Sequence, residues 1–273
     1  MALPVEILDH ILSFLQSDPA ALRACSESHP SLSQLAESHL YSQIVFKVNA
    51  SFSYQTYSVF ANLLSKRPDI AQAIRDLKIQ VYAHPSTERN VVRLLEEISS
   101  ILPMLLVLKR ISLYSYSTQK FGWPELPRNF RVAFLKCLRL PSMQGISLIY
   151  LTDFPFTSLL NNECKTIKNL TVNGHCLSKD IFQMDSPTGP ARLNQSISLE
   201  SLSFCIPSTA NVIQQFIAQV TTVIVQLRSL KIGAMGNYSL LSMLLSNYSN
   251  TLTSLSLDIE IRNLRMSPLD VFN

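Results

Sequence analysis

His175 and Cys176 stand side by side, a base next to a nucleophile. Nucleophilic catalysis needs such a pair within hydrogen-bond reach, and a third group to orient the base. Catalytic partners meet across a fold and are seldom sequence neighbours, and no orienting group is indicated here. The pair reads as the end of a strand. Glycine totals six, and Gly233-x-x-Gly236 matches no phosphate-binding loop. No Cys-x-x-Cys and no His-Glu-x-x-His occurs, so metal ligation has no support. His10, His29, His39 and His84 read as surface or helix-face residues. No catalytic residue, metal or cofactor is expected.

The chain is rich instead in residues that pack. Of its 273 residues 47% are hydrophobic and only 15% charged. Its mean hydropathy is +0.18. No apolar run approaches the roughly 18–20 residues of a membrane span. Residues 101–108 are too short and residues 216–227 are broken by Gln and Thr, so no membrane partner is expected. The net charge of +4 is spread along the chain and does not point to nucleic acid. The start lacks the basic flank of a signal peptide. The five cysteines, Cys25, Cys137, Cys164, Cys176 and Cys205, are far apart and odd in number. They read as reduced core thiols of a cytoplasmic or nuclear protein.

From residue 70 onward one phrase recurs: apolar-x-x-apolar-x-apolar. It ends at Ile79, Leu113, Leu148, Val172, Phe204, Ile232 and Leu257, at intervals of roughly 24–35 residues. Helix-like segments lie between, at 59–68, 91–103, 130–141, 155–164, 212–227 and 240–249. Short parallel strands joined by helical crossovers would produce this order. The apolar ends should point into one core. The residues between them, Lys78, Ser112, Ser147, Thr171, Ser203, Lys231 and Ser256, should line the opposite face. That ladder is small and hydroxylated, which suits a protein segment held by shape and hydrogen bonds. Residues 116–127 and 184–198 read as loops, and Trp123 as a packing anchor.

The opening stretch, residues 3–15, is a helix with too much apolar surface. Pro4 suits its first turn, and Glu6 meets the positive end of its dipole. Glu6, Asp9, His10 and Ser13 cluster on one narrow side. Val5, Ile7, Leu8, Ile11, Leu12, Phe14 and Leu15 cover an arc of roughly 180°, where an ordinary surface helix needs about 100°. Asp18-Pro19 opens a second short helix and Pro30 a third. Forty residues seldom make a self-sufficient core. Part of the arc therefore packs on the rest of the chain, or meets a partner.

Leu3-Pro4-x-Glu6-Ile7, then Ile11, Leu12 and Leu15, then Asp18-Pro19-x-x-Leu22-x-x-Cys25, resembles the F-box. F-box proteins dock this three-helix motif on the Skp adaptor of a cullin-RING ubiquitin ligase. The third helix departs from the family pattern: Ser28-His29-Pro30-Ser31-Leu32 stands where a Trp is usual. The recurring phrase is similar to irregular leucine-rich repeats, without their Asn after each strand. Tyr116, Leu151, His175, Pro207, Met235 and Glu260 stand there.

These resemblances imply an α/β chain in two parts. Residues 1–45 would be a three-helix F-box. Residues 46–273 would be an irregular leucine-rich-repeat-like solenoid, with a parallel sheet of short strands and helices on the other face. An ordinary α/β domain is the alternative. The implied function is that of a non-catalytic substrate receptor of an SCF-type ligase. Its partners would be the Skp-type adaptor with its cullin complex and an unknown target protein. Leu3, Pro4, Ile7 and Ile11 would meet the adaptor, and Leu8, Leu12 and Leu15 would pack inside the chain. A binding scaffold with a decayed F-box, and an enzyme on an α/β fold, are the rival readings.

Overall fold

The structure, a computed structural model, describes residues 3–49, 55–83, 88–116, 122–155, 164, 166–173, 199–205, 224, 226–233 and 238–258. Three helices come first: α1 (Val5–Ser13), α2 (Pro19–Ser28) and α3 (Pro30–Leu40). Local chemistry sets their borders. The Asp18 carboxylate accepts from the N–H groups of Ala20 and Ala21 at 3.1 and 3.0 Å, and Pro19 sits where a helix has no use for an N–H. His29 repeats the device before Pro30: its Nδ1 accepts from the N–H of Ser31 at 3.1 Å. Leu12, Leu22 and Ala36 are buried between the helices, with Leu15, Cys25, Leu32, Leu35 and Leu40 half-buried around them.

The chain continues through β1 (Gln43–Val48), α4 (Gln55–Lys66), α5 (Pro68–Ala73) and β2 (Asp76–Val81). Next come α6 (Glu88–Ile101) with a 3-10 turn at Leu102–Met104, β3 (Arg110–Ser115), α7 (Arg128–Leu138) and β4 (Gly145–Ile149). The remaining elements are β5 (Asn169–Asn173), β6 (Ser201–Cys205), β7 (Ser229–Gly233), α8 (Tyr238–Tyr248) and β8 (Ser254–Asp258). All eight strands form one sheet in chain order, each pair parallel.

The register aligns the apolar positions in rows. Leu77, Ile111, Ile146, Leu170, Leu202 and Leu230 form one buried row. Phe46, Ile79, Leu113, Leu148, Val172, Phe204 and Ile232 form the next. Leu64, Leu94, Leu95, Phe130 and Phe134 cover these rows from α4, α6 and α7. Leu255 and Leu257, on the terminal strand β8, stay exposed. Trp123 is buried, edge-on to Phe134 and Phe154 at 5.7 and 4.8 Å, so it anchors packing. Gly122 before it bridges to Thr152, and any side chain there would run into the Thr152 hydroxyl.

The turns into the strands share one backbone device. The carbonyls of Ser42, Arg75, Lys109, Gln144, Lys168, Glu200 and Arg228 each accept two N–H groups from the start of the next strand. The Lys109 carbonyl, for instance, takes those of Gln144 at 2.7 Å and Gly145 at 3.0 Å. Main-chain groups at every strand entry are thereby satisfied without an Asn side chain.

The expected class, an F-box followed by a leucine-rich-repeat-like solenoid, is corrected. The structure establishes an α/β fold with an eight-stranded, all-parallel sheet and helices packed on it. The reason lies in the recurring phrase. It records a strand with one covered face and one open face, and such alternation carries no family label. The seven phrases become β2 to β8, while β1 was signalled by none of them and runs across the expected boundary at residues 45 and 46.

Candidate functional site

Helix α1 divides its apolar arc between two surfaces. Leu12 is 2% exposed, and Leu8 and Leu15 are half-buried. Leu3, Pro4, Ile7 and Ile11 are exposed, Ile7 at 47%. The helix is held in that rotation by α3. The His39 ring bonds the Asp9 carboxylate through Nε2 at 2.8 Å and the Gln16 side chain through Nδ1 at 2.8 Å. Val5 and Phe14 extend the exposed edge, and Phe14, at 73%, is its most open member. The wheel placed Phe14 in the arc without giving it a role. Its ring meets only the His10 ring among the described aromatic contacts, edge-on at 4.9 Å, and apolar periodicity alone does not separate such a residue from core.

The second surface is the face of the sheet turned away from the helices. Lys78, Ser112, Ser147, Thr171, Ser203, Lys231 and Ser256 lie in one row across seven strands, register to register. Lys231 and Ser256 are exposed and the other five half-buried. Val45 of β1 extends the row. On one side of it Asp76 is held by Arg110, whose Nε donates at 2.7 Å, and this bond raises the guanidinium pKa further. Lys168 and Glu200 pair at 2.9 Å, and that bond holds the Glu200 carboxyl below its usual value.

On the other side of the row lies a group that the sequence reading missed. Tyr82 and Tyr116 stack at 5.0 Å between ring centres, Tyr114 stacks on Tyr116 at 5.9 Å, and Tyr150 leans on Tyr116 at 6.4 Å. The Lys78 ammonium sits 4.3 Å above the Tyr114 ring. Burial, with the neighbouring tyrosines as a lesser cause, raises the Tyr116 hydroxyl pKa. These tyrosines fall one to three residues past the ends of three successive phrases, a spacing that could have revealed them.

Groups capable of covalent chemistry are withdrawn or elsewhere. Cys137 is buried, its thiol points at the Leu102 carbonyl at 3.6 Å, and burial pushes its pKa up to about 12. A thiol so held is a poor nucleophile. Cys25 and Cys164 are also free thiols. The pair His175-Cys176, with His84 and Gly236, lies outside the described residues. So does the expected loop 184–198. Among the described residues no group of three or more His, Cys, Asp or Glu could hold a metal, and no helix is long and apolar enough to cross a membrane.

No family model matches this chain, and no curated protein does. One solved structure, a tryptophan synthase complex from Pyrococcus furiosus, aligns over 79% of this chain and 85% of that one, with 10% identity and a TM-score of 0.23. A likeness that slight supports no statement about fold or activity.

Proposed function

We propose that this chain is a non-catalytic substrate-recognition subunit of an SCF-type cullin-RING ubiquitin ligase. The F-box-like helices would dock on the Skp-type adaptor, and the open face of the sheet would hold a target protein. The observation that carries the reading is the edge of α1. Leu3, Pro4, Ile7 and Ile11 are exposed on a unit whose own core is very small. Apolar surface of that kind, at a rigid helix, is what a partner groove takes. The chain would supply proximity and orientation, with no reacting group of its own. It would work in the cytoplasm or nucleus, without cofactor.

Target contacts are assigned to Lys78, Ser112, Ser147, Thr171, Ser203, Lys231 and Ser256. Co-purification with the adaptor tests the first half. Ile7→Asp should weaken capture by about thirtyfold or more, because it removes an anchor and places a charge in a dry contact. Unchanged capture by this variant, or none by the wild type, would end the receptor reading.

A further inference from the structure

Four tyrosines gather at one end of the open face, and three features say that their arrangement is built. Their backbones are fixed: the N–H of Tyr82 bonds the Val48 carbonyl at 2.8 Å, that of Tyr116 the Val81 carbonyl at 2.7 Å, and that of Tyr150 the Asn173 carbonyl at 2.7 Å. Tyr150 has φ of 57°, in the left-handed region that a Tyr rarely enters. A strained residue of this kind persists where its surroundings over-determine it. The turn brings its ring to Tyr116 while leaving it half exposed. Tyr82 and Tyr116 are exposed as well, so the rings do not close a core.

Charge decides what the rings face. Lys78 lies against Tyr114, and Lys47 is exposed two strands away, in the same row as Tyr114. Neither has an acidic partner within ion-pair distance among the described residues. Asp76, two residues before Lys78 on β2, is taken by Arg110. Rings beside uncompensated cations suit a ligand that is both flat-sided and acidic. The rest of the row is mostly small hydroxyls, too few cations to follow a nucleic-acid backbone.

We infer that Tyr82, Tyr114, Tyr116 and Tyr150 form a docking platform for an extended acidic segment of a partner protein. A ring side chain of that segment lies on the tyrosines, and its neighbouring carboxylates reach Lys78 and Lys47. The site rests on the receptor reading for the fate of the bound partner, not for the binding itself.

The test titrates the full 273-residue chain with a labelled glutamate–tyrosine copolymer and follows anisotropy. Poly-glutamate, a lysine–tyrosine copolymer and oligo(U) are run beside it. The glutamate–tyrosine copolymer should bind best. Tyr116→Ala should weaken it about thirtyfold, and Lys78→Glu and Tyr150→Asn about tenfold. Asn tolerates the left-handed region, so Tyr150→Asn should bind less while melting no lower than the wild type. That combination separates a binding role from a packing role, even if Tyr116→Ala does not fold. The platform is overturned if the wild type ignores the glutamate–tyrosine copolymer or Tyr150→Asn binds it normally. Equal binding of poly-glutamate, or tighter binding of oligo(U), also overturns it. Adaptor capture should be unchanged in these variants, which lie on the sheet and not on α1, so this failure and that of the receptor reading stay distinct.

Discussion

The three-helix unit and the sheet spend apolar residues in opposite ways. In α1 to α3 the buried residues described are Leu12, Leu22 and Ala36, while Leu3, Val5, Ile7, Ile11 and Phe14 face outward. In the sheet the apolar rows run inward from β1 to β7, and the outward face is mostly polar apart from its tyrosines, Val45 and Ile149. Burial of apolar area stabilises a domain at roughly 25 cal/mol per Å², so residues left outside add little to its own fold. The outward residues of the helices therefore add little to the stability of their own unit, while the inward rows of the sheet add much.

The largest effect should come from the sheet's core. Phe134 is fully buried among Trp123, Phe130 and Phe154. Phe134→Ala should cost about 3–5 kcal/mol in urea unfolding. A cost under about 1 kcal/mol would mean that this packing is not as described. A slightly smaller effect belongs to the helices. Leu12→Asp places a charge in the small core, and should cost about 3 kcal/mol and also abolish adaptor capture. Ile7→Asp should stay within about 0.5 kcal/mol of the wild type, since its side chain already meets water. Equal melting losses for the two variants would erase the contrast between the faces of α1.

Alkali should also tell the regions apart. Burial pushes the Tyr57 and Tyr248 hydroxyls from 10.0 up to about 12, with Glu97 adding to the shift at Tyr57. Cys137 moves from 9.0 to about 12. All three lie in the sheet region, and each folded value is above the unfolded one. Their stabilising effect is therefore whole below about pH 9, and is lost as pH rises toward 12. The unfolding free energy from urea titration should fall through that window by several kcal/mol, since each unit of pKa shift is worth about 1.4 kcal/mol. Tyr57→Phe should flatten the fall, although it also loses the bond to the Lys47 carbonyl at 2.9 Å. A flat profile to pH 12 would contradict the burial of these groups.

The smallest effect concerns the seam. Arg67, before α5, reaches Glu37 of α3 at 2.8 Å and Asp69 at 2.7 Å; Arg67 and Asp69 are exposed and Glu37 is half-buried. Such pairs are screened and worth little. Arg67→Ala should leave the melting temperature within error, and a loss of several degrees would show that this bridge couples the two regions.

What could be read along the chain was local. Asp18-Pro19 announced a capped helix, because a cap follows from spacings of four residues or fewer, whereas α1's wheel put Leu12 and Ile7 in one apolar arc and only the family resemblance assigned them to different surfaces. The alternation in each phrase announced strands β2 to β8, because side chains of a strand point to opposite faces whatever the sheet. The fold class was misread for the same reason: alternation reports a covered face, and says nothing about the family that covers it. β1 escaped notice, although Tyr41-x-x-Ile44-x-Phe46 keeps the same spacing, because Tyr41 stands where the other phrases begin with Ile, Leu or Met. The spacing of the tyrosines after successive phrases hinted at a group, but only the tertiary structure could stack their rings. Tyr82, Tyr114 and Tyr150 are more than thirty residues apart from one to the next, and meet because parallel register sets their strands side by side. Register is fixed by the packing of whole rows against the helices, a property of no single segment.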